Sequence, residues 1–205
     1  MPAQKNVASA AGNLTVAITG ASGMIYAFEL LRLAEADRRV AKINLIISDS
    51  GLRVLAEELG IRGRDQVAGQ LFGGRSRKLM LHHNEDIGAN VASGSYPAGA
   101  MIVIPCSAGT LARIANGIAG KLIERAADVC LKERRPLVLC LREAPLSKVH
   151  IRNLYRAADA GAIIFPASPV FYDHPPSLAA MARQFACRVL AQAGLAQPSA
   201  YRWKS

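Results

Sequence analysis

Residues 14–36 read LTVAITGASGMIYAFELLRLAEA. Leu14–Thr19 is a short run of β-forming residues, apolar along its length, as expected of a strand covered on both faces. Gly20-Ala21-Ser22-Gly23 then breaks the run, and a helical pattern opens at Met24. A glycine- and hydroxyl-bearing turn between a strand and a helix lets backbone approach an anion closely. The helix behind it offers free N–H groups and the positive end of its dipole to a phosphate. A tight turn with Ser22 as the helix N-cap explains the same residues. The turn is not GxGxxG, so the dinucleotide fingerprint fails. No Tyr-x-x-x-Lys follows, which sets aside a short-chain dehydrogenase.

Working outward, five more apolar runs read as strands: Ile43–Ser48, Lys78–Leu81, Ala100–Pro105, Pro136–Leu141 and Ala162–Pro166. Helical patterns lie at 23–37, 50–59, 107–116, 120–133, 148–160 and 177–193. This alternation predicts one α/β domain, a doubly wound Rossmann-like (flavodoxin-like) fold with a mainly parallel sheet and right-handed crossovers. In such sheets ligands bind at the carboxyl ends of the strands, near the point where strand order reverses. The Gly- and Arg-rich stretch 61–77 reads as a surface excursion. The domain spans 14–200, with tails at 1–13 and 201–205.

The 205 residues are 51% hydrophobic and 20% charged, enough to bury one core. No apolar run approaches the roughly 18–20 residues needed to cross a bilayer, and residues 1–13 lack the apolar centre of a signal peptide. A cytoplasmic protein that needs no membrane is expected. Cys106, Cys130, Cys140 and Cys187 form no CxxC pair and read as buried free thiols. The net charge of +10 is spread along the chain with few aromatics, so phosphorylated ligands explain it better than nucleic acid. Adjacent His82 and His83 are poor joint metal ligands on a strand, and no metal is expected.

The other strand ends repeat the theme of the first. Ser48 closes the second strand, and Pro105-Cys106-Ser107-Ala108-Gly109-Thr110 closes the fourth; both lead into helices. Each turn has a capping explanation, yet three on one sheet edge would surround a phosphate and part of a flat ring. Arg125 and Lys132, seven apart, share a helical stripe suited either to a phosphate or to a solvated rim. Arg142 and Glu143 leave the fifth strand on opposite faces, making Arg142 an anion contact and Glu143 an acid/base candidate, or a surface pair. After the sixth strand, PVFYDHPP (169–176) leads to a helix capped by Ser177, with Leu178, Met181, Phe185 and Val189 as its apolar face and Arg188 at the edge.

Taken together, GASG (20–23), SGS (93–95), PCSAGTL (105–111), LIERAADVCLKERRPLVLCLREAPL (122–146) and PVFYDHPPSL (169–178) resemble the UbiX-type flavin prenyltransferases over roughly 14–200. PCSAGTL is also similar to the related FMN-dependent Cys decarboxylases, whose PASANT-like motif and catalytic His are missing here. The resemblance implies prenylation of reduced FMN by dimethylallyl monophosphate, with prenylated FMN passed to a UbiD-type decarboxylase, no metal, and a homododecamer with ligands at subunit interfaces. It implies that Gly20, Ala21, Ser22, Ser48, Ser107, Ala108, Gly109, Thr110 and Arg142 hold FMN. Tyr172, Arg188 and Lys132, helped by Arg125, would hold the prenyl phosphate, partly from a neighbouring subunit. Glu58 would stand near that phosphate and Glu143 would move protons at the flavin, with Ser22 and Lys132 assisting. The chain departs from the family pattern at Met24, Asp49 and Asp173, and Asp173 adds a negative charge beside the expected prenyl-phosphate contact. Other readings are a Cys-decarboxylase-like enzyme and a non-catalytic FMN-binding protein.

Overall fold

A computed structural model describes residues 12–74 and 76–203. Six strands, β1 (Gly12–Ile18), β2 (Val40–Ile47), β3 (Leu79–His83), β4 (Ala98–Cys106), β5 (Leu137–Leu141) and β6 (Ile163–Ile164), alternate with seven helices. These are α1 (Met24–Ala36), α2 (Asp49–Leu59), α3 (Arg64–Phe72), α4 (Ala108–Ala115), α5 (Leu122–Lys132), α6 (Lys148–Asp159) and α7 (Leu178–Gln192). Every ladder is parallel, and the strand order is β3-β2-β1-β4-β5-β6. That is the doubly wound Rossmann order, and without its edge strand β3 it becomes the flavodoxin-like order. The order reverses between β1 and β4, which fixes where a ligand crevice opens.

Alternation along each strand divides the core between two faces. Leu14, Val16 and Ile18 of β1 point into a cluster with α1 and α7, while Ala17 points into a second cluster with α4 and α5. Across α1 and α7 the buried Glu29 carboxylate is held by Arg32 at 2.6 Å and Arg183 at 3.6 Å. A charge buried at such a helix contact persists only because it is paired.

All six expected strands form, with shifts of a few residues at their ends. β1 starts at Gly12, so two residues of the expected N-terminal tail are strand; residues 1–11 and 204–205 lie outside the described residues. Residues 61–77 are not merely an excursion. They contain α3, which buries Val67 and Leu71, spaced i and i+4, and stops at Gly73 in the left-handed region (φ 69°). Its glycines and arginines mask a two-residue apolar stripe. The apolar face of α7 is also displaced: Ala182, Phe185, Ala186, Val189 and Leu190 are buried, whereas Leu178 is 72% exposed beside Phe171 and the Pro175–Pro176 turn.

One polar chain crosses the second core cluster. Asn44, wholly buried on β2, donates from Nδ2 to the Tyr96 hydroxyl (3.2 Å), and its Oδ1 lies 3.0 Å from His82 Nε2 on β3. Burial lowers the His82 pKa below its ordinary 6.5, an effect that outweighs the opposing influence of Asp86. A lowered folded pKa stabilises the fold above pH 6.5, and that contribution is lost as pH falls through the folded value. Urea midpoints compared at pH 7.5 and about 5.5 should therefore show wild type losing more stability on acidification than His82→Gln. Equal losses would show that the imidazole is not the group responsible.

Candidate active site

The carboxyl ends of β1, β2 and β4 are stitched into one floor. Thr19, 1% exposed, donates from Oγ1 to Pro105 O at 2.8 Å, and Ser107 N donates back to Thr19 Oγ1 at 2.8 Å. Thr19 N also reaches Pro105 O (3.2 Å), and Ser48 N donates to Ile18 O (3.0 Å). The start of α2 presses on the first turn so closely that a Cβ on Gly20 would lie 2.5 Å from Ser50 Cβ. Gly20 is required there because any side chain would displace α2.

The three hydroxyl-bearing turns differ in their engagement. Ser48 Oγ caps α2 by accepting from Gly51 N (3.0 Å), and Ser107 Oγ caps α4 by accepting from Thr110 N (3.3 Å). Ser22 does not cap α1. The N-cap is Gly23, in the left-handed region at φ 106°, and its cap is supplied from 35 residues away by Glu58. Gly23 N reaches both Glu58 oxygens at 3.1 Å, and Met24 N reaches Oε2 at 2.8 Å. The expectation that these amides stand open to a phosphate is therefore corrected: a carboxylate is seated on them. Ser22 is exposed and lies one residue before the N-cap.

A stack of aromatic rings, packed into the core at Phe185, runs from Tyr26 on α1 to a second site. Tyr26 packs on Phe185 (4.6 Å between centroids), Phe185 meets Phe165 edge-on (5.3 Å), and the Arg188 guanidinium lies 5.6 Å from the Phe165 centroid. Such a stack fixes the cation without neutralising it. Arg188 then lines a cleft of about 350 Å³ with Val170, Tyr172, Tyr201 and Trp203. Trp203 meets Tyr172 edge-on at 5.0 Å, and Tyr201 N donates to Gln184 Oε1 at 2.9 Å. Residues 201–203, read from sequence as a tail, thus form one side of the cleft that Tyr172 and Arg188 enter. In the adjoining turn, Asp173 Oδ1 is buried without a partner among the described residues.

β5 delivers Arg142 and Glu143 to the same edge: Arg142 N donates to Cys106 O (3.1 Å), and Glu143 Oε1 accepts from Ala144 N (3.1 Å). Lys132 and Arg125 are not among the residues lining the Arg188 cleft. They lie with the 93–96 loop, where Arg125 Nε donates to Ala92 O (3.2 Å) and Lys132 pairs with Glu133 beside Gly94. Within one subunit, then, the expected cations fall into two groups. Burial raises the Cys106 thiol to about 12, so the cysteine of PCSAGT is an inert core residue at neutral pH. No group of three or more His, Cys, Asp or Glu residues among those described could hold a metal, and none of the described helices is long and apolar enough to cross a membrane.

The chain matches known proteins closely over most of its length. The family model "Flavoprotein" matches residues 3–183. The chain is 43% identical over 192 residues to the flavin prenyltransferase UbiX of Deinococcus radiodurans, covering 93% of each chain. The chain belongs to the UbiX flavin prenyltransferase family. The UbiX of Pseudomonas aeruginosa is 37% identical over 196 residues and is covered to 93%, as is this chain. Among solved structures, AnUbiX (PadA1) in complex with FMN and dimethylallyl pyrophosphate superposes with a TM-score of 0.83 at 36% identity, covering 94% of this chain and 97% of that one. The dodecameric FMN-dependent UbiX-like decarboxylase of Escherichia coli O157:H7 gives 0.84 at 37% identity, covering 94% and 100%. The cysteine decarboxylase TvaF, at 15% identity and a TM-score of 0.58, shares the fold alone. Several of the sequence motifs fall on the strand ends, but four elements of the site were not legible as such: Thr19, the Glu58 cap, the Tyr26–Phe185–Phe165 stack and Trp203. Thr19 carried one weak signal, a polar residue closing an apolar strand.

Proposed function

We propose that this UbiX-family chain joins the dimethylallyl group of dimethylallyl monophosphate to N5 and C6 of reduced FMN. The observation that carries this reading is the presence of two differently built sites in one domain. A floor of glycine and serine turns suited to a flavin nucleotide is accompanied by a separate cleft holding Arg188 and Tyr172, with the packed Tyr26–Phe185–Phe165 stack behind Arg188. A simple flavin carrier, or a cysteine decarboxylase, gives that second cleft no task.

The donor sets fit FMN. Gly20, Ala21 and Ser22 lie where a side chain on the glycine is excluded, and Ser48 and Ser107–Thr110 present the heads of two helices to an anion. Arg142 reaches the same edge from β5. Reduced FMN supplies the nucleophilic positions, and the chain's own groups position and neutralise. Arg188, with Tyr172, holds the donor phosphate and takes up the charge that grows as the C–O bond breaks and phosphate departs. Glu58, fixed on the Gly23 and Met24 amides, stands on the side of that phosphate, and Glu143 takes protons released at the flavin. Tyr172, Trp203 and Phe165 keep water from the allylic carbon while it is electron-poor. Lys132 and Arg125 complete the phosphate site from a neighbouring subunit of a homododecamer. Exposed Ile151 and Tyr155, four residues apart on α6, supply an apolar face of the kind a subunit contact covers. Prenylated FMN is then handed to a UbiD-type decarboxylase.

Anaerobic incubation with reduced FMN and dimethylallyl monophosphate, followed by mass spectrometry of the extracted flavin, tests the reading. A gain of one C5 unit, abolished in Glu143→Gln, is expected. Unmodified flavin with both ligands bound would leave a decarboxylase or carrier instead.

A further inference from the structure

The polar chain in the core ends at the 93–96 loop. Beyond Tyr96, that loop is held by Arg135, whose Nη1 donates to Tyr96 O (2.9 Å) and whose Nη2 donates to Gly94 O (2.6 Å). Ser93 and Ser95 join their hydroxyls at 2.9 Å on the exposed side. A Cβ on Gly94 would come within 2.6 Å of Lys132 Nζ, so the loop and that ammonium fit only if the loop keeps its place. Its place is set from beneath. Asn44 is 0% exposed within the apolar run of β2, and a buried amide of this kind is costly unless both its ends are hydrogen-bonded. Its two partners come from opposite sides: His82 from the edge strand, and the Tyr96 hydroxyl from the loop. An apolar residue at 44 would fill the same space; what the amide adds is a directional tether on a segment that otherwise lies on the surface.

We infer that Asn44, His82 and Tyr96 are positioning residues that set the 93–96 loop against Lys132 and thereby govern binding of the prenyl phosphate, not of FMN. The inference rests on the prenyltransferase reading, in which Lys132 meets the donor's phosphate. None of the three residues touches a reacting atom. Their effect passes through the loop backbone, and it reaches the FMN floor at Thr19, Ser48 and Ser107 through no hydrogen bond described above.

Steady-state kinetics on the full-length assembled enzyme test it, with dimethylallyl monophosphate varied at saturating reduced FMN. In Tyr96→Phe, which keeps the ring and removes one hydroxyl, the donor KM should rise about fivefold to tenfold, the worth of one buried hydrogen bond. The turnover number and the Kd for FMN should stay within a factor of about two. His82→Leu should behave like Tyr96→Phe, whereas His82→Gln, which keeps an N–H donor toward Asn44, should restore the wild-type KM. Amide hydrogen exchange should quicken at 93–96 in Tyr96→Phe and stay unchanged at 19–23. An unchanged donor KM in an active, folded Tyr96→Phe overturns the inference, as does a parallel loss of FMN affinity. A wild-type enzyme that transfers no prenyl group overturns the function and the inference together, and so is told apart from failure of the tether alone.

Discussion

Arg188→Ala is expected to lower kcat/KM for prenyl transfer by about 10²- to 10³-fold, the usual effect of removing a preorganised partner for developing charge. Arg188 lies at the edge of α7, exposed, with its neighbours Phe185, Cys187, Val189 and Leu190 buried, so truncating it leaves the helix packing intact. Its cation–π seat over Phe165 orients the guanidinium, and no acidic partner among the described residues spends its charge. The predicted signature is therefore a protein of ordinary melting temperature that retains FMN and transfers little prenyl. Arg188→Lys should recover only part of the rate, because a point charge replaces a planar fork. Rapid-quench assays with mass detection of the flavin give the rate, and flavin fluorescence titration gives the affinity. Equal losses of both would place Arg188 in the flavin floor instead.

Thr19→Val should act through the fold. The substitution is nearly isosteric, but it leaves the buried Pro105 carbonyl with one fewer donor and the Ser107 N–H without an acceptor. Leaving the Ser107 N–H unsatisfied costs about 1–3 kcal/mol, and losing the hydroxyl's bond to Pro105 O, which keeps Thr19 N, costs about 1 more, so the total is roughly 2–4 kcal/mol. For a domain of this size that corresponds to a fall in melting temperature of about 5–10 °C. Because the lost bonds join the β1 and β4 turns across the reversal point, FMN affinity should fall as well, and Thr19→Ser should restore both. Scanning calorimetry with and without FMN measures the two effects. A melting temperature within about 1 °C of wild type would mean that the backbone bond from Thr19 N to Pro105 O suffices to hold the turns.

Periodicity reveals what is local. The run Leu14–Ile18 is buried throughout, as its unbroken apolarity required, and the strand–turn–helix that follows forms where Gly20 and Gly23 punctuate it. Capping by Ser48, Ser107 and Ser177 was equally readable, since a hydroxyl before a helix reaches an amide only three residues on. The misread features depend on distant partners. Glu58 is an unremarkable acid near the end of α2 until the fold brings it to the head of α1, where it displaces the cap expected of Ser22. Trp203 looked like a tail residue because nothing within ten positions hints at Tyr172. In α3, only Val67 and Leu71 mark the buried side, too few for a period to emerge among glycines and arginines. The grouping of the site cations also eludes spacing: Lys132 and Arg188 suit the same ligand chemically, yet one subunit holds them in separate places.

The burial of all four cysteines bears on how such a protein ages. Dihydroflavins surrender electrons to dissolved oxygen and yield hydrogen peroxide, so an enzyme that grips one lives beside a source of oxidant. Peroxide attacks thiolates far more readily than thiols, and one further oxidation, from the sulfenic to the sulfinic acid, makes the damage essentially irreversible. Cys106 stands next to the Ser107 turn proposed to hold flavin, but burial raises its pKa to about 12, and Cys130 is held equally high on α5. At physiological pH neither presents a thiolate. The sulfur that packs the core is thereby kept out of the chemistry leaking from the pocket, and a stray encounter with air consumes the ligand while sparing its host.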